Sequence, residues 1–369
     1  MNNIILLYSG ISLNCAPRVE SLVDELKKKN LKVRIGGVVK QNDLNQDYDT
    51  SFVNIFNGNN AAGKLVNVIV AYLNLIFCLY RNRNQIDLIY AINPISGLAA
   101  YFLFKLTGTK YVYETQEIFI GTKHRFFTGR WKPLWFKLES MVARSAQKFI
   151  ATDQYRMKFL RRLYKINYEK CDYLYNTTYK NKYDRCSLRN KHSIDNEKYI
   201  VSYCGAIIKN RSINEIMIAF KKANLNNSIL YMVGYFDEKF KIELDALVDS
   251  IGLTNVVFTG KVDNNTLKEY MALSNVTFAL YESNCVNNRL NSPNKLFDAI
   301  MCKVSLITTQ TFLSNYLSRF YECVLIKENN VESITQAIKV KSDFGVKSNS
   351  DFSLDNLMPK FVSRLIDET

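Results

Sequence analysis

The chain has 369 residues, 47% of them apolar and 22% charged, and a formal net charge of +15. The length predicts two domains rather than one, and the composition excludes a disordered or fibrous protein. Eight scattered cysteines and only two histidines argue against a zinc site. The first residues, MNNIILLYSG, enter a strand-like run without the basic region of a secretory signal, so we expect a reducing, cytoplasmic compartment.

The first half of the chain alternates short apolar runs with longer helical patterns. The strand-like runs are NIILLYS, KVRIGGV, DLIYAI, KYVYET, KFIAT and CDYLYN. Helices are predicted between them at about 18–29, 65–80, 95–105 and 133–145. Such alternation is typical of a parallel sheet covered by helices on both faces. We therefore predict a doubly wound, Rossmann-like α/β domain over residues 1–176.

The longest apolar run, LVNVIVAYLNLIFCLY at 65–80, is 16 residues long and contains Asn67 and Asn74. A helix that spans a bilayer needs roughly 20 apolar residues. The run is therefore predicted to be a buried core helix, with transmembrane insertion as the less favoured alternative.

Residues 123–170 hold two thirds of the net positive charge, with thirteen Lys or Arg against three acidic residues. The same region contains Phe126, Phe127, Trp131, Trp135 and Phe136. Basic residues interleaved with aromatic ones are typical of contact with an anionic membrane surface, and nucleic acid would be attracted by the same charge. A solvated basic face with its aromatic residues turned inward is the third possibility. We predict membrane contact and no nucleic-acid partner.

The alternation resumes after residues 177–197, which lack an apolar period and are predicted to form a linker. The later strand-like runs are YIVSYCGA, SILYMVG, NVVFTG, VTFALY, VSLITT and ECVLI. They predict a second Rossmann-like domain over residues 198–352, and residues 353–369 have the pattern of an amphipathic helix. Two such domains facing a central cleft would bind a ligand at the carboxyl ends of their strands.

Two loops of the second domain place a cation where the start of a helix disfavours one. In NSPNKLFDAI (291–300), Ser292 is predicted to cap a helix that begins at Pro293, with Lys295 in its first turn. In GAIIKNRS (205–212), Gly205 permits close backbone approach, and Lys209 and Arg211 precede the next helix. A bound phosphate would explain both cations. The alternative for Lys295 is a solvent-exposed side chain paired with Asp298.

These segments, in this order, resemble those of GT-B glycosyltransferases of the family 4 type, the glycosyl transferases group 1. YCGAIIKNRSINEIMIAF resembles the segment of that family that runs from a glycine to an arginine, and NSPNKLFDAI resembles its nucleotide-sugar segment. CAPRVESLVDELKKKNLKV is similar to the first helix of such enzymes, and YETQEIFI to their acidic loop. The resemblance runs over most of the chain and implies the GT-B fold.

The resemblance also implies roles for individual residues. Arg211 and Lys295 would stabilise the donor pyrophosphate as the leaving group, with no metal and no other cofactor. The remaining residues implied at the nucleotide-sugar are Gly205, Lys209, Ser292, Asn294 and Asp298, of which Asp298 would accept hydrogen bonds from the ribose. Glu117 is predicted to be the third catalytic residue. The acceptor side is predicted to include Arg18, Glu114, Gln116 and His124.

The sequence departs from the family pattern at several positions. Leu290 stands where the first of two glutamates would be, and Asp298 replaces the second. Gln116 replaces the histidine of the acidic loop, which leaves His124 as a candidate for its role. Lys303 replaces the glycine that follows the nucleotide helix, so a left-handed cap is not expected there.

We predict a glycosyltransferase, retaining as the resemblance implies, that moves a hexosyl or related sugar from a nucleotide-sugar donor to a lipid-linked saccharide. Such an enzyme would serve surface polysaccharide assembly, such as lipopolysaccharide or capsule. It would be cytoplasmic and peripherally bound to the inner face of the cell membrane through residues 123–170. The alternatives are a nucleotide-sugar epimerase on the same fold, against which the scarcity of histidine counts, and a non-catalytic protein that binds an anionic polymer.

Overall fold

The computed structural model describes residues 2–8, 17–39, 53–55, 61–119, 132–180, 183–340, 345–348 and 350–368. The chain forms two compact units, the first made of Met1–Tyr175 with Leu354–Thr369 and the second of Asn176–Ser353. His124, Phe126, Phe127 and Trp131, together with the basic residues at 123–130, lie outside the described residues.

The first unit is built on a parallel sheet in the order β3-β2-β1-β4-β5-β6-β7. Its strands are β1 (Asn3–Leu7), β2 (Lys32–Val39), β3 (Val53–Ile55), β4 (Leu88–Ile92), β5 (Tyr111–Thr115), β6 (Lys148–Ala151) and β7 (Cys171–Tyr173). Its helices are α1 (Pro17–Lys28), α2 (Ala61–Arg81), α3 (Asn93–Thr107), α4 (Lys132–Ser145) and α5 (Gln154–Tyr164), and it also receives the last helix of the chain. Strands β4 and β5 are buried at every residue, as expected of a sheet covered on both faces.

The second unit has a parallel sheet in the order β10-β9-β8-β11-β12-β13. Its strands are β8 (Tyr199–Cys204), β9 (Ser228–Val233), β10 (Val256–Gly260), β11 (Val276–Ala279), β12 (Ser305–Thr309) and β13 (Cys323–Ile326). Its helices are α6 (Arg185–Lys191), α7 (Ile213–Ala223), α8 (Glu238–Ile251), α9 (Asn264–Leu273), α10 (Val286–Arg289), α11 (Asn294–Met301), α12 (Phe312–Leu317) and α13 (Val331–Lys339). The predicted fold class, two doubly wound Rossmann-like domains, is confirmed.

The last helix, α14 (Leu354–Asp367), returns to the first unit and packs against α1. Its apolar face joins the core formed by β1, β4 and α1, where Met358, Phe361 and Val362 are almost completely buried. The amphipathic pattern predicted at 353–369 therefore forms a helix that completes the first core.

Residues 177–197 are not the featureless linker that we expected. They belong to the second unit and contain α6, which is capped by the Asp184 carboxylate. The buried Arg189 donates hydrogen bonds to the Leu273 carbonyl at 3.0 Å and to Asn275 Oδ1 at 2.8 Å. Because these bonds, rather than an apolar stripe, hold α6 in place, a search for apolar periodicity misses it.

Helix α2 is not the buried core helix that its composition predicts. Ala71, Leu75 and Leu79 are buried, but Leu73 is 61% exposed and Phe77 is 58% exposed. In the parts of the chain that the structure describes, no helix is both long enough and apolar enough to cross a membrane.

Both ends of α11 differ from the sequence prediction. The helix begins at Asn294, with Pro293 at the N-cap position, so Ser292 is not its cap. At the other end, Lys303 has a φ of 55°, in the left-handed region that we did not expect without glycine there. The Val304 amide donates to the Ala299 carbonyl and the Lys303 amide to the Ile300 carbonyl, which closes the helix end.

Candidate functional site

The strand order of the second unit reverses direction between β8 and β11, which are neighbours in the sheet. Successive strands run outward from β8 toward β10 on one side and from β11 toward β13 on the other. The loops that follow β8 and β11 therefore diverge, and a crevice opens between them at the carboxyl edge. The loop after β8 carries Arg211, and the segment after β11 leads to Lys295. The fold thus brings the two predicted cations to one place.

Arg211 and Lys295, which we call the cation pair, both lie over tyrosine rings. The Arg211 guanidinium is 4.7 Å from the ring centroid of Tyr281, and Lys295 Nζ is 3.8 Å from that of Tyr203. Such contacts hold a cation in place without neutralising it. Among the described residues, no carboxylate lies within ion-pair distance of either cation. The exposed pairing of Lys295 with Asp298 is therefore not observed.

The pKa values at the cation pair show that burying these positive charges without an anion is unfavourable. Burial, together with the smaller effect of the nearby Arg211 charge, lowers the pKa of Lys295 from 10.5 to about 7. Burial raises the pKa of Asp298 to about 6, although Lys268 and Lys295 oppose that shift. A bound diphosphate would reverse the shift at Lys295, because a neighbouring negative charge favours the protonated amine.

Two glycines leave space for the Lys295 side chain beside the loop that follows β8. Gly205 has a φ of 129°, and a Cβ atom there would lie 2.6 Å from Lys295 Cε. Gly234, which follows β9, has a φ of 138°, and a Cβ atom there would lie 2.1 Å from the Gly205 carbonyl oxygen. Gly234 is therefore required by close approach to the backbone as well as by its own conformation, whereas a side chain at Gly205 would displace the end of Lys295. The sequence indicated Gly205, whereas we assigned no role to Gly234.

The two helices that begin at this crevice lack side-chain caps. Helices α8, α9 and α13 of the same unit are capped by Asp237, Asp263 and Asn330. In contrast, α7 begins after Ser212, which has a φ of 54° and gives no side-chain cap, and α11 begins after Pro293, which has none to give. Uncapped amides and a positive dipole end are what an anion requires.

The remaining predicted residues of this unit occupy different positions. Lys209 turns outward to pair with Glu243 at 2.6 Å and lines a cavity of about 320 Å³ with Glu243, Ser212 and Glu282. Asn294 is exposed at the start of α11, whereas Ser292 is buried and its carbonyl accepts a bond from Asn176. Lys209 is therefore not part of the cation pair.

In the first unit, the predicted acceptor-side residues form a buried network around Glu114. Tyr90 Oη donates to Glu114 Oε2 at 2.6 Å, and Arg18 Nη2 lies 3.3 Å from the same oxygen. Gln116 Nε2 donates to Glu114 Oε1 at 3.1 Å. Both Arg18 and Glu114 are buried, at 5% and 2% exposure. This carboxylate is held by its neighbours and orients Gln116.

Glu117 stands apart from that network, exposed at the end of the described loop. Its carboxylate lies 3.6 Å from Arg156 Nη2, and Arg156 Nη1 donates to the Gln116 carbonyl at 2.5 Å. Asn93, with a φ of 69°, accepts a hydrogen bond from the Gln116 amide at 3.1 Å. Asn93 and Arg156 therefore clamp the acidic loop, and we assigned no role to either side chain from the sequence.

A second buried carboxylate, Glu139 on α4, lies under the same loop. Tyr113 Oη donates to Glu139 Oε1 at 2.9 Å, and Thr115 Oγ1 donates to the Glu117 carbonyl at 2.8 Å. Burial raises the pKa of Glu139 to about 7, against hydrogen bonds from tyrosine and threonine that lower it. Within the described residues, no group of His, Cys, Asp and Glu side chains is arranged to hold a metal ion.

Residues 184–341 match the family described as Glycosyl transferases group 1, and this match lies entirely within the second unit. No curated protein matches the chain by sequence.

Solved structures resemble the chain over its whole length. The Anabaena protein Alr3699/HepE, solved in complex with UDP and glucose, is 12% identical with a TM-score of 0.69, covering 100% of both chains. A glycosyltransferase from Rickettsia africae is 15% identical with a TM-score of 0.68, covering 100% of this chain and 98% of that one. WaaG, a glycosyltransferase involved in lipopolysaccharide biosynthesis, is 13% identical with a TM-score of 0.62, covering 100% and 95%. At these identities, the likeness establishes the GT-B fold.

Proposed function

We propose that this protein is a retaining glycosyltransferase of the family 4 type, which moves a sugar from a nucleotide-sugar donor to a saccharide acceptor. The observation that carries the proposal is the cation pair: two cations without a carboxylate partner among the described residues, at the reversal point of the sheet, beside two uncapped helix starts. This combination fits a diphosphate better than a neutral sugar or a metal ion. The group 1 family match over the same unit supports this assignment.

The proposed chemistry assigns each group a task. The nucleoside diphosphate gains negative charge as the glycosidic bond breaks, and Arg211 with protonated Lys295 stabilises that charge without rearrangement. No metal is needed if these two cations do so. Asp298, mostly ionised at neutral pH, accepts hydrogen bonds from the ribose hydroxyls. In the first unit, Glu117 and Gln116 receive the acceptor, and the buried Glu114, paired with Arg18, holds Gln116 in place.

We further propose a lipid-linked acceptor of surface polysaccharide assembly and a peripheral position at the inner face of the cell membrane. The basic character of residues 123–170 supports this proposal. Similarity of fold to WaaG, which acts in lipopolysaccharide biosynthesis, agrees with such an acceptor.

Thermal unfolding with UDP, GDP, CDP and dTDP tests the donor site. A ligand at 100 times its dissociation constant adds about 2.7 kcal/mol to the stability of the folded state. We expect one nucleotide, and UDP first given the HepE complex, to raise the melting temperature of the wild type in the presence of EDTA. Arg211→Ala should lose the response, and Lys222→Ala, an exposed lysine at the far end of α7, should keep it. A response that requires a divalent metal contradicts the metal-free chemistry.

Product analysis separates transfer from epimerisation. With a labelled nucleotide-sugar and no acceptor, an epimerase interconverts the sugar while it remains on the nucleotide. A transferase releases free nucleoside diphosphate and needs an acceptor for its full rate. We expect the second result with extracted membrane lipids as the acceptor source, and accumulation of an epimeric nucleotide-sugar contradicts the proposal.

A further inference from the structure

Helix α2 carries two apolar stripes on opposite sides. Ala71, Leu75 and Leu79 are buried against the first unit. Positions offset by two residues lie roughly 200° around a helix, and the stripe there is exposed instead. Its members, which we call the α2 apolar face, are Ile69, Val70, Leu73, Phe77 and Tyr80, each at least 40% exposed. When a helix that is apolar on both sides packs on one side only, its other apolar side remains exposed to water.

The neighbouring helix α3 extends this surface. Helices α2 and α3 pack against each other, and on α3 Phe102 is 48% exposed and Leu106 is 65% exposed. Scattered exposed apolar residues are ordinary on a protein surface, but seven on two adjacent helices mark an interaction site.

Every charged residue in the sequences of α2 and α3 is basic: neither helix contains an aspartate or a glutamate. Arg81 lies over the Phe77 ring, Arg83 over the Tyr80 ring and Lys105 over the Tyr101 ring. Both helices run antiparallel to the strands of one parallel sheet, so these cations lie at the same end of the surface. Long basic side chains beside aromatic rings can keep their stems in an apolar layer and their charges in a polar one.

We propose that the α2 apolar face, with Phe102 and Leu106, inserts into the headgroup boundary of an anionic lipid bilayer, with Arg81, Arg83 and Lys105 against the lipid phosphates. The charge pattern favours lipid over a second copy of the chain. A symmetric contact between two copies would join two surfaces whose helices carry only basic charge, without acidic partners on either helix. A helix of this kind lies in the plane of the interface and does not span the bilayer.

The α2 apolar face, Phe102 and Leu106 lie outside residues 123–170 in the sequence, although α3 packs against α4. The inference deepens the proposed peripheral membrane position, on which it rests, but it holds whether or not the second unit binds a nucleotide. The test is sedimentation of the full chain with vesicles of phosphatidylcholine alone and of phosphatidylcholine mixed with phosphatidylglycerol. Leu73→Ser/Phe77→Ser removes the centre of the α2 apolar face, and Arg81→Gln/Lys105→Gln removes two cations. Ile242→Ser, at a position 70% exposed on α8 of the second unit, is the matched control.

We expect the wild type to bind the mixed vesicles, and the apolar double variant to lower the partition coefficient about tenfold or more. The charge variant should weaken binding to mixed vesicles alone, and Ile242→Ser should change nothing. Unchanged melting temperature and unchanged nucleotide response in both variants would show that the fold and the donor site are intact.

Three results overturn the inference. The apolar double variant could bind vesicles as the wild type does. Binding could instead be lost only in Lys158→Gln/Arg162→Gln/Lys165→Gln, which would place the contact in residues 123–170. Sedimentation velocity without lipid could show a wild-type dimer that the apolar double variant abolishes, which would identify a second copy as the partner.

Discussion

Replacing Gly205 with alanine tests the cation pair without removing either cation. The new Cβ atom would lie 2.6 Å from Lys295 Cε and 2.9 Å from Nζ, both closer than real Cβ contacts allow. The obstacle is the far end of a flexible side chain, so Lys295 moves while the fold persists. The φ of 129° adds backbone strain of about 1–3 kcal/mol.

Gly260→Ala supplies the matched comparison. Its φ of 74° also disfavours alanine, but nothing lies within 4 Å of the added Cβ atom. We therefore expect both variants to lower the melting temperature, and only Gly205→Ala to weaken nucleotide binding. A hydrogen bond to a charged group contributes about 1.5–3 kcal/mol, so displacing Lys295 should weaken binding about tenfold to a hundredfold.

Calorimetric titration with the nucleotide that stabilises the wild type is the assay. Gly205→Ala that is less stable yet binds the nucleotide with wild-type affinity would refute the reasoning, because the Lys295 ammonium could not then contact the phosphates. Equal losses of affinity in both glycine variants would point to general destabilisation.

Three further predictions concern pH and loop geometry. Because burial lowers the pKa of Lys295 to about 7 and a diphosphate favours the charged amine, nucleotide affinity should fall about tenfold per pH unit above 7, with proton uptake seen by calorimetry in buffers of different ionisation heat. A nucleotide affinity that does not change with pH in the wild type or in Lys295→Met contradicts this prediction. Between about pH 7 and 10.5 the unfolded chain holds the Lys295 proton and the folded chain does not, so Lys295 makes the free protein more stable as pH rises. The pKa of Glu139 is raised from 4.5 to about 7, so the folded state loses stability as pH rises through that window. In urea unfolding, the effect of Glu139→Gln on the free energy of unfolding should therefore be more stabilising at pH 8 than at pH 5, by about 3 kcal/mol at most. Equal effects at both pH values would be inconsistent with a buried carboxylate. Asn93→Gly keeps the positive φ but removes the acceptor for the Gln116 amide, so it should lower kcat and leave nucleotide affinity unchanged. Asn93→Ala should lower the free energy of unfolding by about 1 kcal/mol more than Asn93→Gly does, because alanine disfavours a positive φ. Identical stability of the two variants would argue against backbone strain at this position.

Buried parallel strands made the fold predictable from the sequence. Each fully buried strand reads as a continuous apolar run, such as LIYAI in β4, and the helices between them follow from the spacing. Strand β3 was not predicted because its three residues carry no pattern. Helix α5 was also not predicted; its start depends on the Asp153 carboxylate, which accepts bonds from the Tyr155 and Arg156 amides.

Helix α2 shows what apolar composition cannot decide. Both of its faces are apolar, so the sequence is compatible with a core helix, and only the packing on one side identifies the exposed stripe. Lys303 shows a similar limit at α11, because the backbone adopts the left-handed cap without glycine. Tertiary context outweighs local preference in both cases.

The candidate site was predictable where a residue contradicts its local environment. Arg211 and Lys295 were identified because a cation at a helix start is unfavourable without an anion. Arg156 has the same placement at α5, but the Gln116 carbonyl and Thr152 Oγ1 accept its hydrogen bonds. Lys209 is likewise neutralised, by Glu243. Sequence alone cannot separate a satisfied cation from an unsatisfied one, because the partners come from other elements.

The most direct test of the cation pair as a nucleotide-diphosphate site is equilibrium titration of UDP into the wild type, Arg211→Ala and Lys222→Ala. We expect Arg211→Ala to bind UDP at least about tenfold more weakly than the wild type, and Lys222→Ala to bind it equally well. Equal UDP affinity in the wild type and Arg211→Ala, or saturable binding of none of UDP, GDP, CDP and dTDP by the wild type, would contradict the account.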